Sequence, residues 1–235
     1  MQRTMASARP RFSGFDPKAL RLLAALAKHN DRAWFAPRKE RFQKELLEPL
    51  ALLVDDATIA LERANIPIGG DAKRSIFRLY RDVRFSNDKS PYKTHVSAYL
   101  SYDGGRSTPG GLYVHIQPGA SFLSIAFYRI ERPMLQRWRA AMASRPAAFE
   151  RVVRTLAKKG IPLIPPEDDE DSLARMPRGF ETHATSNLAP YFRLRNFCVH
   201  TDLTDRDVSS PALVSGMVAL ARDAKPLLDF GWSLD

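Results

Sequence analysis

The chain has 235 residues, 44% of them hydrophobic, and its formal net charge is +10 at pH 7. This length and composition predict one globular domain with a well-packed core, and the charge favours anionic partners over cationic ones. No apolar run approaches the roughly 20 residues that a membrane span requires, and a single cysteine excludes a disulfide within the chain.

Two features predict a cytoplasmic protein. The N-terminus lacks the apolar segment of a signal peptide. The only cysteine, Cys198, stands between Phe197 and Val199, which is typical of core packing in a reducing compartment. No neighbouring cation indicates a reactive thiol.

The first predicted elements are a tail and two helices. Residues 1–13 are polar, basic and contain proline, which predicts a mobile basic tail. Asp16 and Pro17 then supply an N-cap and a first helical position. A second apolar helical pattern runs through residues 42–61, and Pro49 should kink or restart that helix.

The densest set of charged side chains follows, in residues 78–93. The segment is predicted as a strand, because Ser75-Ile76-Phe77 before it is β-compatible and Ser-Asn-Asp-Lys-Ser-Pro closes it with turn-forming residues. Alternation then gives it two faces. One face carries Phe77, Leu79, Arg81, Val83 and Phe85, and the other carries Arg78, Tyr80, Asp82 and Arg84.

Arg81 is the exception in the apolar row. A guanidinium group cannot lose its charge, so its burial would require a carboxylate, a phosphate or several carbonyl groups nearby. On the opposite face Arg78, Asp82 and Arg84 stand roughly 6–7 Å apart along the strand. This spacing suits an anionic ligand held by two guanidinium groups, and it equally suits a structural Arg–Asp network. Both interpretations stay open at this point.

The turn after this strand adds to the predicted anion site. Its backbone N–H groups can form a concavity that favours anions, with Lys89 and Lys93 at the rim. The predicted ligand-binding residues are Arg78, Arg81, Arg84, Lys89, Tyr92 and Lys93. Asp82, Asp88 and His115 are candidates for a catalytic acid or base, and His115 is preferred because pairing with arginine should lower the pKa of an aspartate.

Three alternating apolar runs after the motif predict strands. They are centred on Ala98, Val114 and Ile125, and the Pro118-Gly119 link predicts an antiparallel hairpin between the last two. Their reverse faces carry His95, Ser97, Tyr99, Tyr113, His115, Gln117, Ser124 and Tyr128. Such a face beside the cationic motif can form a pocket floor, and it is also consistent with ordinary exposure to solvent.

The C-terminal half predicts helices, a loop and one more strand. Pro133 and Pro146 each start an amphipathic helix, and Ser209-Ser210-Pro211 starts the last one. Residues 161–178 are proline-rich and acidic, which predicts an exposed loop whose carboxylates could cover the basic site. Residues 193–200 are predicted as a strand.

Together these elements predict a single α+β domain over residues 14–235. Its mainly antiparallel sheet should have about four to six strands, packed by N-terminal and C-terminal helices.

The charged motif is similar to the hallmark of a known family. It reads Arg78-x-x-Arg81-Asp82-x-Arg84-Phe85-x-x-Asp88-Lys89-x-x-Tyr92-Lys93. Further landmarks are similar as well, namely Gly14-Phe15, Trp34-Phe35 and Pro177-Arg178-Gly179-Phe180 with His183. Nearly the whole chain therefore resembles a bacterial family designated domain of unknown function 2461 (DUF2461). The resemblance implies no activity, but it suggests that Gly179 and His183 return towards the first motif.

Several enzyme classes lack their sequence signatures. The five histidines show no metal-ligand spacing. No nucleophile elbow, Walker loop or dinucleotide fingerprint occurs either. A metal site formed by His95, His115 and Asp82 would require adjacent strands, and no metal is predicted. The sequence identifies no cofactor and no oligomeric state.

The leading hypothesis is that the motif binds an anionic small molecule with a phosphate or carboxylate group, whether or not it also catalyses a reaction of that molecule. One alternative is a non-catalytic module that binds nucleic acid or an acidic protein, whose affinity would fall steeply with added salt. The other is a purely structural Arg–Asp network.

Overall fold

The structure, a computed structural model, describes residues 9–84, 86–106 and 108–234. Its first helix, α1, spans Pro17–Lys28. The Asp16 carboxylate accepts a hydrogen bond from the Lys18 N–H, and Pro17 occupies the first helical turn, so the predicted helix start is confirmed. The buried face of α1 consists of alanine and leucine side chains.

The second helical region is divided near the predicted proline. Two short helices, α2 (Arg32–Phe35) and α3 (Lys39–Phe42), precede a π-helical turn over Gln43–Leu47, and α4 then spans Glu48–Arg63. Pro49 cannot donate a backbone hydrogen bond, and in a regular helix its ring would clash with the carbonyl four residues earlier. The wider π turn directly before α4 relieves this conflict, so the helix is interrupted where it was expected to be.

The predicted basic tail is only partly described. Residues 1–8 lie outside the described residues. In the remainder, the Arg9 guanidinium pairs with Asp55 and Asp56 of α4, and Phe12 is buried while its N–H donates to Asp56. These contacts hold residues 9–12 against α4.

The described residues form a four-stranded sheet in the order β1-β2-β3-β4, and all neighbouring pairs are antiparallel. A short helix, α5 (Ala72–Ser75), precedes it. The strands are β1 (Val96–Ser101), β2 (Gly111–Ile116), β3 (Ser121–Phe127) and β4 (Phe197–Leu203). The predicted β2–β3 hairpin is confirmed, and its turn uses Gly119 at φ 70°, a conformation that favours glycine.

The connection from β3 to β4 contains three α-helices. They are α6 (Arg132–Ser144), α7 (Pro146–Lys158) and α8 (Ala189–Arg193). Both predicted proline starts are confirmed, and residues 161–178 form neither helix nor strand. The strand predicted over residues 193–200 begins later, at Phe197, because α8 includes Arg193.

Helices from both ends of the chain cover one face of the sheet. The last three helices are α9 (Asp205–Val208), α10 (Leu213–Asp223) and α11 (Lys225–Trp232). Helix α4 packs on β1, and α10 packs on both β3 and α4. The inward residues of the strands, such as Ala98, Val114 and Ile125, are fully buried. Burial of a Val, Leu or Ile side chain contributes about 1.5–3 kcal/mol, so this layer dominates stability.

The fold is therefore the predicted α+β class, with one hydrophobic core shared by the described helices and the sheet. No helix within residues 9–84, 86–106 and 108–234 combines the length and apolar composition that a membrane crossing needs.

The outer edge of β1 is covered by the chain segment that leads into the charged motif. Single antiparallel bridges join Gly69 to Ser101 and Ile76 to Ala98, and the Phe77 N–H donates to the Ser97 carbonyl at 3.0 Å. These contacts leave the motif beside β1, at one edge of the sheet.

Candidate functional site

The described residues of the motif, 78–84 and 86–93, form an irregular hairpin, here called the motif hairpin, and the prediction of a continuous strand is wrong. A single bridge joins Tyr80 to Tyr92, and the Arg81 N–H donates to the Pro91 carbonyl at 2.9 Å. Within the hairpin, the side chains of Asp82 and Asp88 accept bonds from backbone N–H groups two residues later. Such local bonds compete with a strand ladder, which explains the irregular structure.

The predicted alternation of exposure is nevertheless present. Leu79 is buried, whereas Arg78, Tyr80, Asp82 and Arg84 are exposed. The remaining described members of the apolar row, Phe77, Arg81 and Val83, are half-buried. Phe85, which was assigned to the same row, lies outside the described residues.

Tyr92 anchors the motif hairpin to the helices at the start of the chain. Its side chain is 4% exposed and stacks on Phe35 with ring centroids 4.0 Å apart. The Asn30 side-chain amide donates to the Tyr92 carbonyl at 2.8 Å and accepts from the Tyr92 N–H at 3.0 Å. Burial raises the pKa of the Tyr92 phenol, so it is neutral near pH 7.

Two ion pairs lie within the motif hairpin. Arg81 pairs with Asp88, which supplies the carboxylate that its position required. Arg84 makes a two-point contact with Asp82, with Nη2 2.7 Å from Oδ2 and Nε 3.0 Å from Oδ1. Lys89 donates from Nζ to the Val83 carbonyl at 3.0 Å.

These pairs determine the protonation of both candidate aspartates. The hydrogen bond from Arg84 lowers the pKa of Asp82 to about 2. Hydrogen bonds from Arg81 and Ser90 also hold the pKa of Asp88 well below its ordinary value. A carboxylate with so low a pKa is a weak base near neutral pH.

Arg78 and Lys93 belong to a different environment, a groove at the β1 edge that we call the edge groove. Its volume is about 820 Å³. The groove is lined by Gln43, Leu47, Glu48, Ala51, Ala72, Lys73, Ile76, Phe77, Arg78, Lys93 and Arg106. Four cations and one carboxylate, Glu48, give this lining a formal net charge of +3.

Two of these cations lie over one aromatic ring, and a third, Arg78, lines the same groove. The Lys93 Nζ lies 5.2 Å and the Arg106 Cζ lies 5.5 Å from the centroid of Phe77. Burial lowers the pKa of Lys93, and the charges of Arg78 and Arg106 lower it further. Within the described part of the chain, no carboxylate lies within ion-pair distance of Arg78, Lys93 or Arg106.

Arg106 was not among the residues predicted from sequence. It lies in the loop between β1 and β2, where the glycines indicated only a long connection. The loop brings the Arg106 Nη1 to 3.4 Å from the Ile76 carbonyl. Because the sequence does not specify the path of this loop, it could not predict that Arg106 lines the groove.

A second polar group, the histidine cluster, lies on the sheet face opposite α4 and α10 and contains His95, Tyr113, His115 and Gln117. The rings of His95 and His115 have centroids 4.0 Å apart, and His115 also stacks on Phe122 at 4.8 Å. The Tyr113 hydroxyl lies 3.2 Å from His115 Nδ1, and Gln117 Oε1 lies 3.1 Å from His115 Nε2.

Both histidines are neutral at pH 7. Burial is the largest cause, lowering the pKa of His115 and reducing the pKa of His95 to about 4. The bonding of His115 fits one tautomer, in which Tyr113 donates to Nδ1 and the Nε2–H donates to Gln117. The positive charge of Lys93 lowers the pKa of both histidines further.

The rest of the predicted polar face is divided between buried and exposed residues. Ser97 and Ser124 are buried, and the Ser124 hydroxyl donates to the Val199 carbonyl at 2.8 Å. The Tyr99 hydroxyl donates to the Thr108 carbonyl at 3.0 Å. Tyr128 is exposed. The edge groove adjoins this face at Tyr113, whose ring meets the ring of Phe77 edge-on at 6.1 Å.

The three residues considered for a metal site, His95, His115 and Asp82, are not grouped together in the structure. His95 and His115 are adjacent, as that site required, but the Asp82 carboxylate is occupied by Arg84. In the described ranges, no three or more His, Cys, Asp or Glu side chains are grouped to hold a metal ion.

The second sequence landmark and the acidic loop both lie near β4, at the other edge of the sheet. His183 stacks on Phe192 of α8 at 4.9 Å, and Asp169 accepts a hydrogen bond from Asn196, directly before β4. Neither belongs to the lining of the edge groove. The expectations that His183 approaches the first motif and that the acids cover the basic site are therefore wrong.

One family matches this chain, and the match spans the motif hairpin, the edge groove and the histidine cluster. The model of the family described as "Conserved hypothetical protein (DUF2461)" matches residues 18–230. No curated protein and no solved structure matches the chain at a significant level. Because the family match includes most of the 235 residues, the chain belongs to the DUF2461 family.

Proposed function

We propose that the protein binds a small anionic ligand, carrying a phosphate or carboxylate group, in the edge groove. The observation that supports this proposal most directly is that Lys93 and Arg106 lie over the Phe77 ring in a groove that Arg78 also lines, with no carboxylate of the described ranges within ion-pair distance of the three. Like charges at short range repel one another, and burial of the Lys93 ammonium adds a cost of desolvation. A bound anion would remove the repulsion and supply the missing hydrogen-bond acceptors.

The size and charge of the groove fit the same proposal. A volume of about 820 Å³ lies within the range of small-molecule sites. The net charge of +3 on the lining suits a ligand with more than one negative charge, such as a phosphate group. Helix α4 and the π turn before it contribute apolar side chains, Leu47 and Ala51, for the uncharged part of a ligand.

The predicted ligand-binding residues then have two roles. Arg78 and Lys93 would contact the anion, together with Arg106 from the loop. Arg81, Arg84, Lys89 and Tyr92 would maintain the shape of the hairpin, because each has a protein partner within it or beneath it. A cytoplasmic location and anionic small-molecule partners stay predictions from the sequence.

Titration with inorganic phosphate, followed by calorimetry at low salt, tests the proposal. We expect the wild-type protein to bind phosphate, and Lys93→Gln and Arg78→Gln to weaken binding about tenfold each, the loss of one charge-assisted contact. Lys159→Gln is the matched control, because Lys159 is a surface cation paired with Asp223 at 2.8 Å and lies outside the groove.

Far-UV circular dichroism of each variant establishes that the fold is intact. The proposal fails if the wild-type protein does not bind phosphate, or if folded Lys93→Gln and Arg78→Gln bind as the wild type does. Equal weakening by Lys159→Gln would instead indicate a diffuse effect of net charge, as in the nucleic-acid alternative.

A further inference from the structure

Lys93 differs from the other lysine of the motif hairpin in the surroundings of its amino group. The Lys89 Nζ donates to the Val83 carbonyl at 3.0 Å, and Lys89 lies outside the edge groove. Lys93 is half-buried in the groove, with its Nζ 5.2 Å from the centroid of Phe77. The described residues offer this Nζ neither a hydrogen-bond acceptor nor a carboxylate partner. The amino group is therefore available to a molecule in the groove.

The cations next to Lys93 favour the neutral form of its amine. Burial lowers the pKa of Lys93, and the charges of Arg78 and Arg106 lower it further. An arginine keeps its proton throughout the pH range of folded proteins, so among these three side chains only Lys93 can become a neutral amine. A neutral amine is a nucleophile, whereas an ammonium group is not.

The other titratable groups near Lys93 do not offset this effect. Lys73 of α5 adds a positive charge to the lining, and Glu48 of α4, its one carboxylate, lies beyond ion-pair distance of Lys93. His95 and His115 are neutral at pH 7 and so supply no negative charge. Within the part of the chain that the structure describes, no carboxylate therefore stabilises the ammonium form of Lys93.

The same groove can hold a carbonyl compound beside this amine. The guanidinium groups of Arg78 and Arg106 can bind a carboxylate or a phosphate group. Because the Lys93 Nζ and the Arg106 Cζ lie 5.2 and 5.5 Å from the centroid of Phe77, an anion bound to Arg106 is near the amine. The apolar side chains of α4 and of the π turn reduce the access of water, which favours condensation over hydrolysis.

Building on the proposed function, we propose that Lys93 forms an imine with the carbonyl group of a small anion held by Arg78 and Arg106. The Nζ lone pair attacks the carbonyl carbon, the C–O bond breaks, and the carbonyl oxygen leaves as water with both amine protons. This condensation is reversible and needs no oxidant or reductant. The substrate class is thus an aldehyde or ketone with an anionic group close to the carbonyl carbon, such as a 2-oxo acid or a phosphorylated aldehyde.

Reductive trapping tests this inference, because cyanoborohydride converts an imine into a stable secondary amine. The wild-type protein is incubated at pH 7 with the reductant and either pyruvate or glycolaldehyde phosphate, and peptide mass spectrometry locates the adducts. We expect Lys93 to be labelled at least about tenfold faster than Lys28, an exposed lysine of α1 outside the groove. The faster of the two probes identifies the preferred anionic group.

Neutral probes and a competing anion separate binding from intrinsic reactivity. Acetone and glycolaldehyde lack the anionic group, so the preference for Lys93 over Lys28 should be much smaller with them. Inorganic phosphate should protect Lys93 and leave Lys28 unaffected. Arg106→Gln should slow the labelling of Lys93 about tenfold, the loss of one charge-assisted contact.

The outcomes distinguish this inference from the proposed function. Absence of phosphate binding would overturn the proposed function and the imine with it. If phosphate binds, labelling of Lys93 no faster than that of Lys28 would overturn only the role of Lys93 as the amine. Labelling of Lys73 in place of Lys93, or labelling of Lys93 that phosphate does not reduce, would overturn it as well. These measurements use the wild-type protein, so they do not depend on how a variant folds.

Discussion

The two halves of the charged motif differ in how their cations are satisfied. In the outer half, Arg81 and Arg84 pair with Asp88 and Asp82 of the same hairpin. In the inner half, Lys93 and Arg106 lie over the Phe77 ring, Arg78 lines the same groove, and no carboxylate of the described ranges lies within ion-pair distance of them. Residues of one type, within one short segment, thus support the local fold on one side and provide a binding surface on the other.

The largest effect should come from the anchor of the outer half. Tyr92→Ala removes a buried ring stacked on Phe35, and we expect the free energy of unfolding to fall by about 3–5 kcal/mol. Tyr92→Phe keeps the stacked ring and should cost far less. Urea unfolding of the two variants measures the difference, and similar small losses would mean that the hairpin is not anchored through this ring.

A smaller effect on stability should depend on pH. The folded protein lowers the pKa of His95 to about 4 from an ordinary value of 6.5, so the unfolded chain binds more protons between these values. The stabilisation is thus complete above pH 6.5 and is lost as the pH falls towards 4. Between pH 7 and pH 4.5, the free energy of unfolding should fall by about 1–2 kcal/mol less in His95→Gln than in the wild type. This figure allows for solvent screening of a half-exposed ring.

Urea unfolding at pH 7.0, 5.5 and 4.5 checks this prediction, with His200→Gln as the control. An identical pH dependence in the wild type and in His95→Gln would contradict it. Sulfate and phosphate should be absent from these buffers, because an anion bound to the folded protein would itself change the free energy of unfolding.

In the inner half, a substitution that weakens anion binding should increase the stability of the free protein. Lys93→Gln removes repulsion with Arg78 and Arg106, so in the absence of anions its free energy of unfolding should increase by up to about 1 kcal/mol. At the same phosphate concentration, the melting temperature of the wild type should rise more than that of this variant. A destabilised Lys93→Gln would indicate that the lysine supports the fold instead.

The smallest effect should come from the outer ion pairs. Arg81→Gln leaves Asp88 without its main partner, and a slight fall in melting temperature is expected with phosphate affinity within about twofold of wild type. Thermal unfolding and phosphate calorimetry on the same sample test both parts. A large loss of phosphate affinity in a folded Arg81→Gln would move the site to the outer half and remove the contrast between the halves.

Local sequence signals predicted much of the fold. Asp16, Pro17, Pro133 and Pro146 marked helix starts because a cap or a proline acts within one helical turn. Alternation predicted the strands β1 to β3, because a sheet with one buried face repeats every second residue.

The candidate site was less predictable because it depends on contacts between distant residues. The exposed and half-buried rows of the motif were predicted correctly, but its aspartates bond to the adjacent backbone and prevent a regular strand. Arg106 reaches the groove from a loop that carries no periodic signal. His183 lies near β4 because of the strand order, which no local motif specifies.

The interruption before Pro49 has a consequence for the groove. Gln43 and Leu47, the two ends of the π turn, are both part of its lining. One extra residue in a helical turn rotates all preceding side chains by roughly 100° around the axis. The turn before Pro49 thereby sets the rotation of α3 relative to α4. Pro49, which lies outside the charged motif, thus influences which helical side chains line the edge groove.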